Sequence, residues 1–253
     1  MSIFVHAHRW AWHNNDLLSS DAALTVQRLS TAKVLRDGYV NLRCHHEPGC
    51  TAPLRPATAT AFDVARPEEL LVADVWRAHL FPDAPLPDAL AQPCCSQFAV
   101  SAAAARAVPR ATYARLRAWL LATPLDDALA GRVCEHAWHF LWLGVPVRCP
   151  AEHACYCDTY GVCFGGPDAY ADWFAMRARL AALAPVHEQL ERQHDADPLA
   201  GWLASPDALD IQRDIAELSA SMRRSRDEAF MRGNDPESRA REAGRPWRPG
   251  DGY

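Results

Sequence analysis

Apolar positions along this chain recur with two periods, and the points where one gives way to the other divide it into elements. The run Ile3-Phe4-Val5 reads as the end of a buried strand, and Asp16 to Leu35 as a helix or a pair of turns capped by Asp21. Gly38 to Cys44 alternates apolar and polar residues after a glycine, which predicts a strand. The Pro, Ala and Thr content of Thr51 to Thr60 predicts irregular backbone. Pro67 opens a helix at the favoured first position, with Glu68 and Glu69 at its positive end. Val72, Val75, Trp76, His79 and Leu80 form its buried stripe, and Pro82, Pro85 and Pro87 end it.

The second half of the pattern is more helical. Cys94 to Ser101 reads as a short buried strand, with Ser101 capping the alanine-rich turn that follows. Pro109 to Pro124 brackets a helix with Tyr113, Leu116 and Leu120 on one face. A third helix is expected from about Gly131 to Leu143, with Val133, Ala137, Phe140 and Leu141 on one side. Trp138 and Trp142 flank Glu135 and His139 on the other side. Cys149 to Cys163 reads as a cysteine-rich loop in which Asp158 to Gly161 supplies a turn. Helical pieces follow over Asp168 to Leu183, Pro185 to His194 and Pro198 to Leu203. Pro206 to Gly233 is a long amphipathic helix packed through Ala208, Ile211, Ile215, Leu218 and Met222. The pattern therefore predicts an α/β domain over 1–165, a helical extension over 166–232 and a disordered tail over 233–253.

Charge removes two function classes. A net charge of −5 and a pI near 6.1 offer no basic surface for nucleic acid or for a polybasic membrane contact. No apolar run is long enough to span a bilayer, and no signal sequence is present.

Nine cysteines change the picture more. Eight of them cluster: Cys44, Cys50, Cys94, Cys95, Cys149, Cys155, Cys157 and Cys163. Their spacings, C-x5-C and C-x-C, do not match zinc knuckles, so disulfides are preferred to metal and Cys134 is left as a buried free thiol. A Cys44–Cys50 bridge would close a small loop, and Cys94 and Cys95 are expected to bond two different partners. Disulfides place the chain in the secretory lumen or outside the cell. The absent signal sequence keeps the cytoplasm open, and the simplest reconciliation is that an N-terminal part is missing.

Candidate chemistry sits in two places. His6, His8, Arg9, Trp12 and His13 crowd into a loop directly after the first strand, where α/β proteins tend to place their sites. Glu135 and His139 stand one helical turn apart on a helix that is apolar nearly all round, so both are expected to be covered. A covered carboxylate needs a partner. Their alternative reading is a pair that merely holds the helix.

Five ordered motifs carry a resemblance. They are His6-x-His8-Arg9-x-x-Trp12-His13, Gly38 to Cys44, Cys95-x-Gln97-Phe98-Ala99-Val100-Ser101, Gly131-Arg132-x-x-Glu135-x-x-Trp138-His139, and Cys155-Tyr156-Cys157-Asp158-x-Tyr160-Gly161. Together they resemble a family of fungal and bacterial proteins defined only as a domain of unknown function, whose members carry a further strand and helix ahead of the first motif. That family is similar in turn to nucleotide-sugar-dependent glycosyltransferases. The resemblance implies an α/β fold with a small mixed sheet and flanking helices, a partial glycosyltransferase-like domain followed by a helical C-terminal region. By the same resemblance Glu135 and His139 are catalytic, with Glu135 the base that activates the acceptor. His6, His8, Arg9, Trp12, His13 and Gln97 bind a small-molecule or glycan substrate. His-Ala-His stands where such enzymes carry an Asp-x-Asp metal pair, so no metal ligand is assigned and the cofactor stays open. The transferase reading requires Glu135 within about 12 Å of the His-rich loop, the reach of a bridging substrate. Two other readings stand beside it: a disulfide-braced non-catalytic binding domain, and a hydrolase or oxidase with its metal on His6, His8 and His13, with His139 as a further candidate ligand.

Overall fold

The computed structural model describes residues 1–59, 63–64, 66–195 and 206–251. The chain divides into two compact units, Met1–Cys155 and Tyr156–Tyr253.

In the first unit β1 (Ser2–Phe4) leads through the His-rich loop to a 3-10 turn and then to α1 (Ala22–Arg28) and α2 (Thr31–Asp37). Asp21 caps α1 by accepting from the amides of Ala23 and Leu24, as its position predicts, and Ser30 caps α2. β2 (Tyr39–Asn41) follows, shorter than the predicted strand, because the Asn41 side chain accepts from the Arg43 amide and turns the chain. α3 (Glu68–Val75) runs on into one π-helical turn over Trp76–Leu80. That turn breaks the 3.6 period, so Trp76 and Leu80 stay buried while His79, expected in the stripe, faces solvent. β3 (Phe98–Val100) is followed by α4 (Ala102–Ala107), capped by Ser101, and α5 (Arg110–Ala122). On α5 the residue sealed into the core is Trp119, whereas Leu120 is exposed.

The predicted helix over 131–143 is two helices, α6 (Asp127–Glu135) and α7 (Trp138–Leu143). Asp126 caps the first, and the ladder breaks at His136 and Ala137. Around Trp76 a core of Leu54, Val72, Leu90, Trp119 and Val133 welds α3, α5 and α6 together.

The sheet is antiparallel throughout, not mixed, with order β1-β3-β2. β3 is central, and β1 is an edge strand whose Phe4 is half exposed, so the expected buried first strand is overturned. Phe98 pairs with both Phe4 and Asn41. The chain leaving β1, the chain leaving β2 and the chain entering β3 are therefore gathered at one end of the sheet.

Four disulfides use all eight clustered cysteines, and Cys134 is free and buried. The pairing differs from expectation: Cys44 bonds Cys155, Cys50 bonds Cys149, and Cys94 bonds its neighbour Cys95.

α8 (Glu152–Tyr160) occupies what reads as a cysteine-rich loop. In the second unit Tyr156, Cys157 and Tyr160 are fully buried, and the buried Asp158 pairs with Arg245 at 3.2 Å. Gly161 ends the helix with φ 67°, and any side chain there would run into the Arg239 guanidinium. α9 (Pro167–Asp195) and α10 (Pro206–Arg232) form a hairpin in which Trp173 Nε1 donates to Met222 O at 3.0 Å. α9 passes through Pro185 instead of stopping there; the residue is exposed, where water can take the carbonyl that proline leaves over. The expected piece at Pro198 to Leu203 lies outside the described residues. α11 (Pro236–Glu242) occupies part of the expected disordered tail, with Ala240 buried and Asp235 capping it. No helix among the described residues is long and apolar enough to cross a membrane.

Candidate functional site

The sheet end described above is wired by side-chain amides. Asn15 donates to Leu42 O at 2.6 Å and accepts from the Cys44 amide at 2.9 Å, tying the His-rich loop to β2. Gln97 accepts from the His6 amide at 3.2 Å and donates to Asn14 at 3.1 Å. Asn41 donates to Pro93 O at 2.6 Å. Gln92 accepts from the Tyr39 hydroxyl at 2.7 Å and donates to Glu135 O at 2.6 Å. Tyr39 is buried and its hydroxyl is pushed well above the usual range, so it stays a neutral donor. Buried amides with both ends used are a rigid frame.

The Cys94–Cys95 turn is what this frame holds. Cys95 N–H donates to Glu135 Oε1 at 2.5 Å, and Cys95 O accepts from His6 Nε2 at 2.6 Å. Glu135 and His6 therefore grip opposite faces of one residue and stand within about 9 Å of each other by standard peptide dimensions. That separation is inside the roughly 12 Å reach of a bridging substrate. The α6–α7 break makes this possible, since at the last residue of α6 a carboxylate can leave the helix axis and meet a loop amide. Glu135 Oε2 has no hydrogen-bond partner among the described residues.

The remaining residues divide. His13 is buried with its ring centroid 4.6 Å from that of His6, and its Nε2 has no partner among the described residues. Burial first, then the neighbouring His6, Arg43 and His8, depress its basicity, so it is neutral. Trp12 is 69% exposed, with the Arg43 guanidinium 5.5 Å from its ring centre. His8 is exposed at the loop surface. Arg9 is committed elsewhere: it lies 4.4 Å over Trp10 and pairs with Asp21 at 3.0 Å, a contact that holds the Asp21 carboxyl below its ordinary range. His139 does not join the cluster. It is fully buried, its Nε2 sits 2.7 Å from Pro146 O, and burial pushes its pKa down to about 4. The Glu135–His139 pair of the alternative reading does not form: Glu135 takes a backbone amide as its partner, and the break between α6 and α7 turns the two side chains to different neighbours.

Beside the turn opens a groove of about 700 Å³ that the sequence reading did not identify. Phe4, Phe98, Tyr113, Trp138 and Trp142 supply its aromatic lining, Asp127 a carboxylate, and Ser96 the end next to Cys95. Trp138 and Trp142 stack at 5.4 Å with planes 17° apart, Phe98 lies 4.9 Å from Trp142, and Phe4 lies 4.7 Å from Phe98. Trp142 Nε1 donates to the Tyr113 hydroxyl at 3.0 Å, which fixes the indole. The signal was present as tryptophans four apart on one helix and phenylalanines at a strand end, but it read as core.

Only one triad of metal-capable side chains lies close together among the described residues, Cys157, Cys163 and Glu242, and its two sulfurs are already joined as a disulfide. No curated protein and no solved structure matches the chain significantly. The profile described as "Protein of unknown function (DUF3431)" matches residues 1–158, and the chain belongs to that family.

Proposed function

We propose that residues 1–158 form a disulfide-braced glycan-handling domain of glycosyltransferase-like type, binding a sugar in the aromatic groove and presenting Glu135 to one of its hydroxyls. The observation that carries this reading is Glu135 itself. One carboxylate oxygen is anchored to the Cys95 amide, the other has no partner among the described residues, and the residues next in sequence to the two ends of that contact, Cys134 and Ser96, line the groove. A pyranose presents apolar C–H faces to rings such as Trp138 and hydroxyls to a carboxylate at the rim. A carboxylate so placed can accept a proton from an acceptor hydroxyl as it attacks an activated sugar. Four disulfides fit the lumen of the secretory pathway or the extracellular space.

Binding without chemistry is the second reading, favoured by the engagement of Arg9 with Asp21 and of His139 with Pro146. Tryptophan fluorescence titrated with a panel of oligosaccharides tests the groove. Trp138→Ala is expected to weaken the best ligand roughly tenfold or more, the scale of one lost aromatic contact. Unchanged affinity would remove the groove reading. Turnover of a nucleotide-sugar donor that Glu135→Gln abolishes, with binding kept, supports the transferase; binding with no turnover leaves the binding domain.

A further inference from the structure

A disulfide stabilises a fold by closing a loop in the unfolded chain, and the gain grows with the loop. Cys44–Cys155 and Cys50–Cys149 span 111 and 99 residues, and Cys157–Cys163 spans 6. Cys94–Cys95 spans one residue and closes nothing. Its effect is local, and it acts on the residue that Glu135 and His6 both hold. The backbone there is unusual: Cys95 has φ 85° and Ser96 φ 49°, two consecutive non-glycine residues in the left-handed region. Side chains other than glycine occupy that region at a cost unless something imposes it. The ring between the two sulfurs, together with the anchors to Glu135 and His6, imposes it here. Cys95 is half-buried, as are Cys50 and Cys149, whereas Cys44, Cys155, Cys157 and Cys163 are buried; of the two bonds a reductant can reach, only Cys94–Cys95 holds a left-handed backbone.

We propose that Cys94–Cys95 is a reversible reduction site, taking electrons from a dithiol, whose oxidised form holds Glu135 and His6 in place and whose reduced form releases them. A thiolate of the dithiol attacks Cys95 Sγ, the Cys94–Cys95 bond breaks, and Cys94 Sγ leaves as a thiolate that takes up a proton. The second thiol of the reductant then attacks its own mixed-disulfide sulfur, expelling Cys95 Sγ, which is protonated in turn. The protein has gained two electrons and two protons, and the reductant has become a disulfide. With the ring open, the left-handed pair at Cys95 and Ser96 relaxes, the Cys95 amide leaves Glu135, and its carbonyl leaves His6. Ser96 moves with them, so the end of the groove is remodelled as well. This goes beyond the glycan reading and does not depend on it.

Graded dithiothreitol on the whole protein tests the proposal, followed by alkylation with mass-spectrometric mapping and by hydrogen exchange. Cys94 and Cys95 are expected to be alkylated before any of the other six bonded cysteines, while the far-ultraviolet spectrum stays native. Exchange in the peptide covering 92–98 should then accelerate roughly tenfold or more, the effect of losing a charged hydrogen-bond acceptor. Reduction of any other disulfide first, or reduction of this one with exchange unchanged, would overturn the proposal. The paired variant Cys94→Ser/Cys95→Ser should show the fast exchange without reductant; if it does not fold, the wild-type titration decides alone. Failure of every glycan to bind would count against the function proposed above and leave these readouts intact.

Discussion

Glu68, at the start of α3, and Glu135, at the end of α6, are carboxylates of the same unit whose surroundings differ in kind. Glu68 is 6% exposed and meets Arg132 at 3.3 Å and His136 at 3.8 Å. Burial alone would raise its pKa, but hydrogen bonds from His136 and Arg132 outweigh it and bring the pKa down to about 2. Both of its oxygens are used, and the pair welds α3 to α6 over the Trp76 core. Glu135 touches one amide on a turn closed by a disulfide. The contrast teaches where function can sit in this fold: a carboxylate with every lone pair satisfied is scaffold, and one held at a single oxygen can still take a ligand. His139 and His6 differ in access instead. The first is sealed in the core on Pro146 O, while the second is exposed and poised on Cys95 O.

The contrast is tested most heavily at the disulfides. Replacing both Cys44 and Cys155 with alanine opens a loop of 111 residues and should cost about 4 kcal/mol in calorimetry. Replacing Cys94 and Cys95 should cost less than about 1 kcal/mol, because no loop is opened. A comparable loss at both would erase the distinction between bracing and local disulfides.

Next in size is the pH response of His139. Its folded pKa of about 4 lies below the ordinary 6.5, so between those values the unfolded chain binds the extra proton. The stability it contributes is complete above pH 6.5 and is lost progressively toward pH 4, by up to about 3 kcal/mol. Urea unfolding across that window should show the loss, and His139→Gln should flatten it. Glu68 answers in a lower window. Its stabilisation, present above pH 4.5, disappears only as the pH falls toward 2.

Glu68→Gln should cost about 1–2 kcal/mol, less than a fully enclosed pair because Arg132 is half exposed. Glu135→Gln is the smallest in stability, under about 1 kcal/mol, since a neutral amide oxygen still accepts from Cys95. Equal losses at the two positions would make Glu135 scaffold too.

Much of the local structure could be read from the chain because local interactions decide it. Asp21, Ser101 and the packed side of α10 follow from capping and from period 3.6, and the structure has them. Elements that depend on what lies across the fold were misread. α6 and α7 looked like one helix because Gly131 to Leu143 keeps one apolar period, and only the Glu135–Cys95 contact shows what the break serves. The cysteine-rich segment looked like a loop because helix propensity does not register that Cys155, Tyr156, Cys157 and Tyr160 are all buried. Gln97 and His6 could be singled out as site candidates by residue type. The groove could not, since aromatic residues from four separate stretches become a surface only when β1, β3, α5 and α7 are assembled.

The sequence by itself determined the helix starts at Asp21, Pro67, Ser101 and Pro109, the places of the three strands, the residue types able to do chemistry and the set of eight cysteines that would pair. Each rests on neighbours within a few residues, where chain geometry alone brings groups together. Tertiary structure alone decided which cysteine met which, that β3 rather than β1 is central, and that Glu135 reaches the Cys95 turn while His139 is sealed in the core. Apart from the local pairs Cys94–Cys95, Cys157–Cys163 and His139–Pro146, those outcomes depend on contacts across 40 to 111 residues of separation, such as Cys95–Glu135 and Cys44–Cys155. Many pairings share the same local pattern, and packing selects one of them.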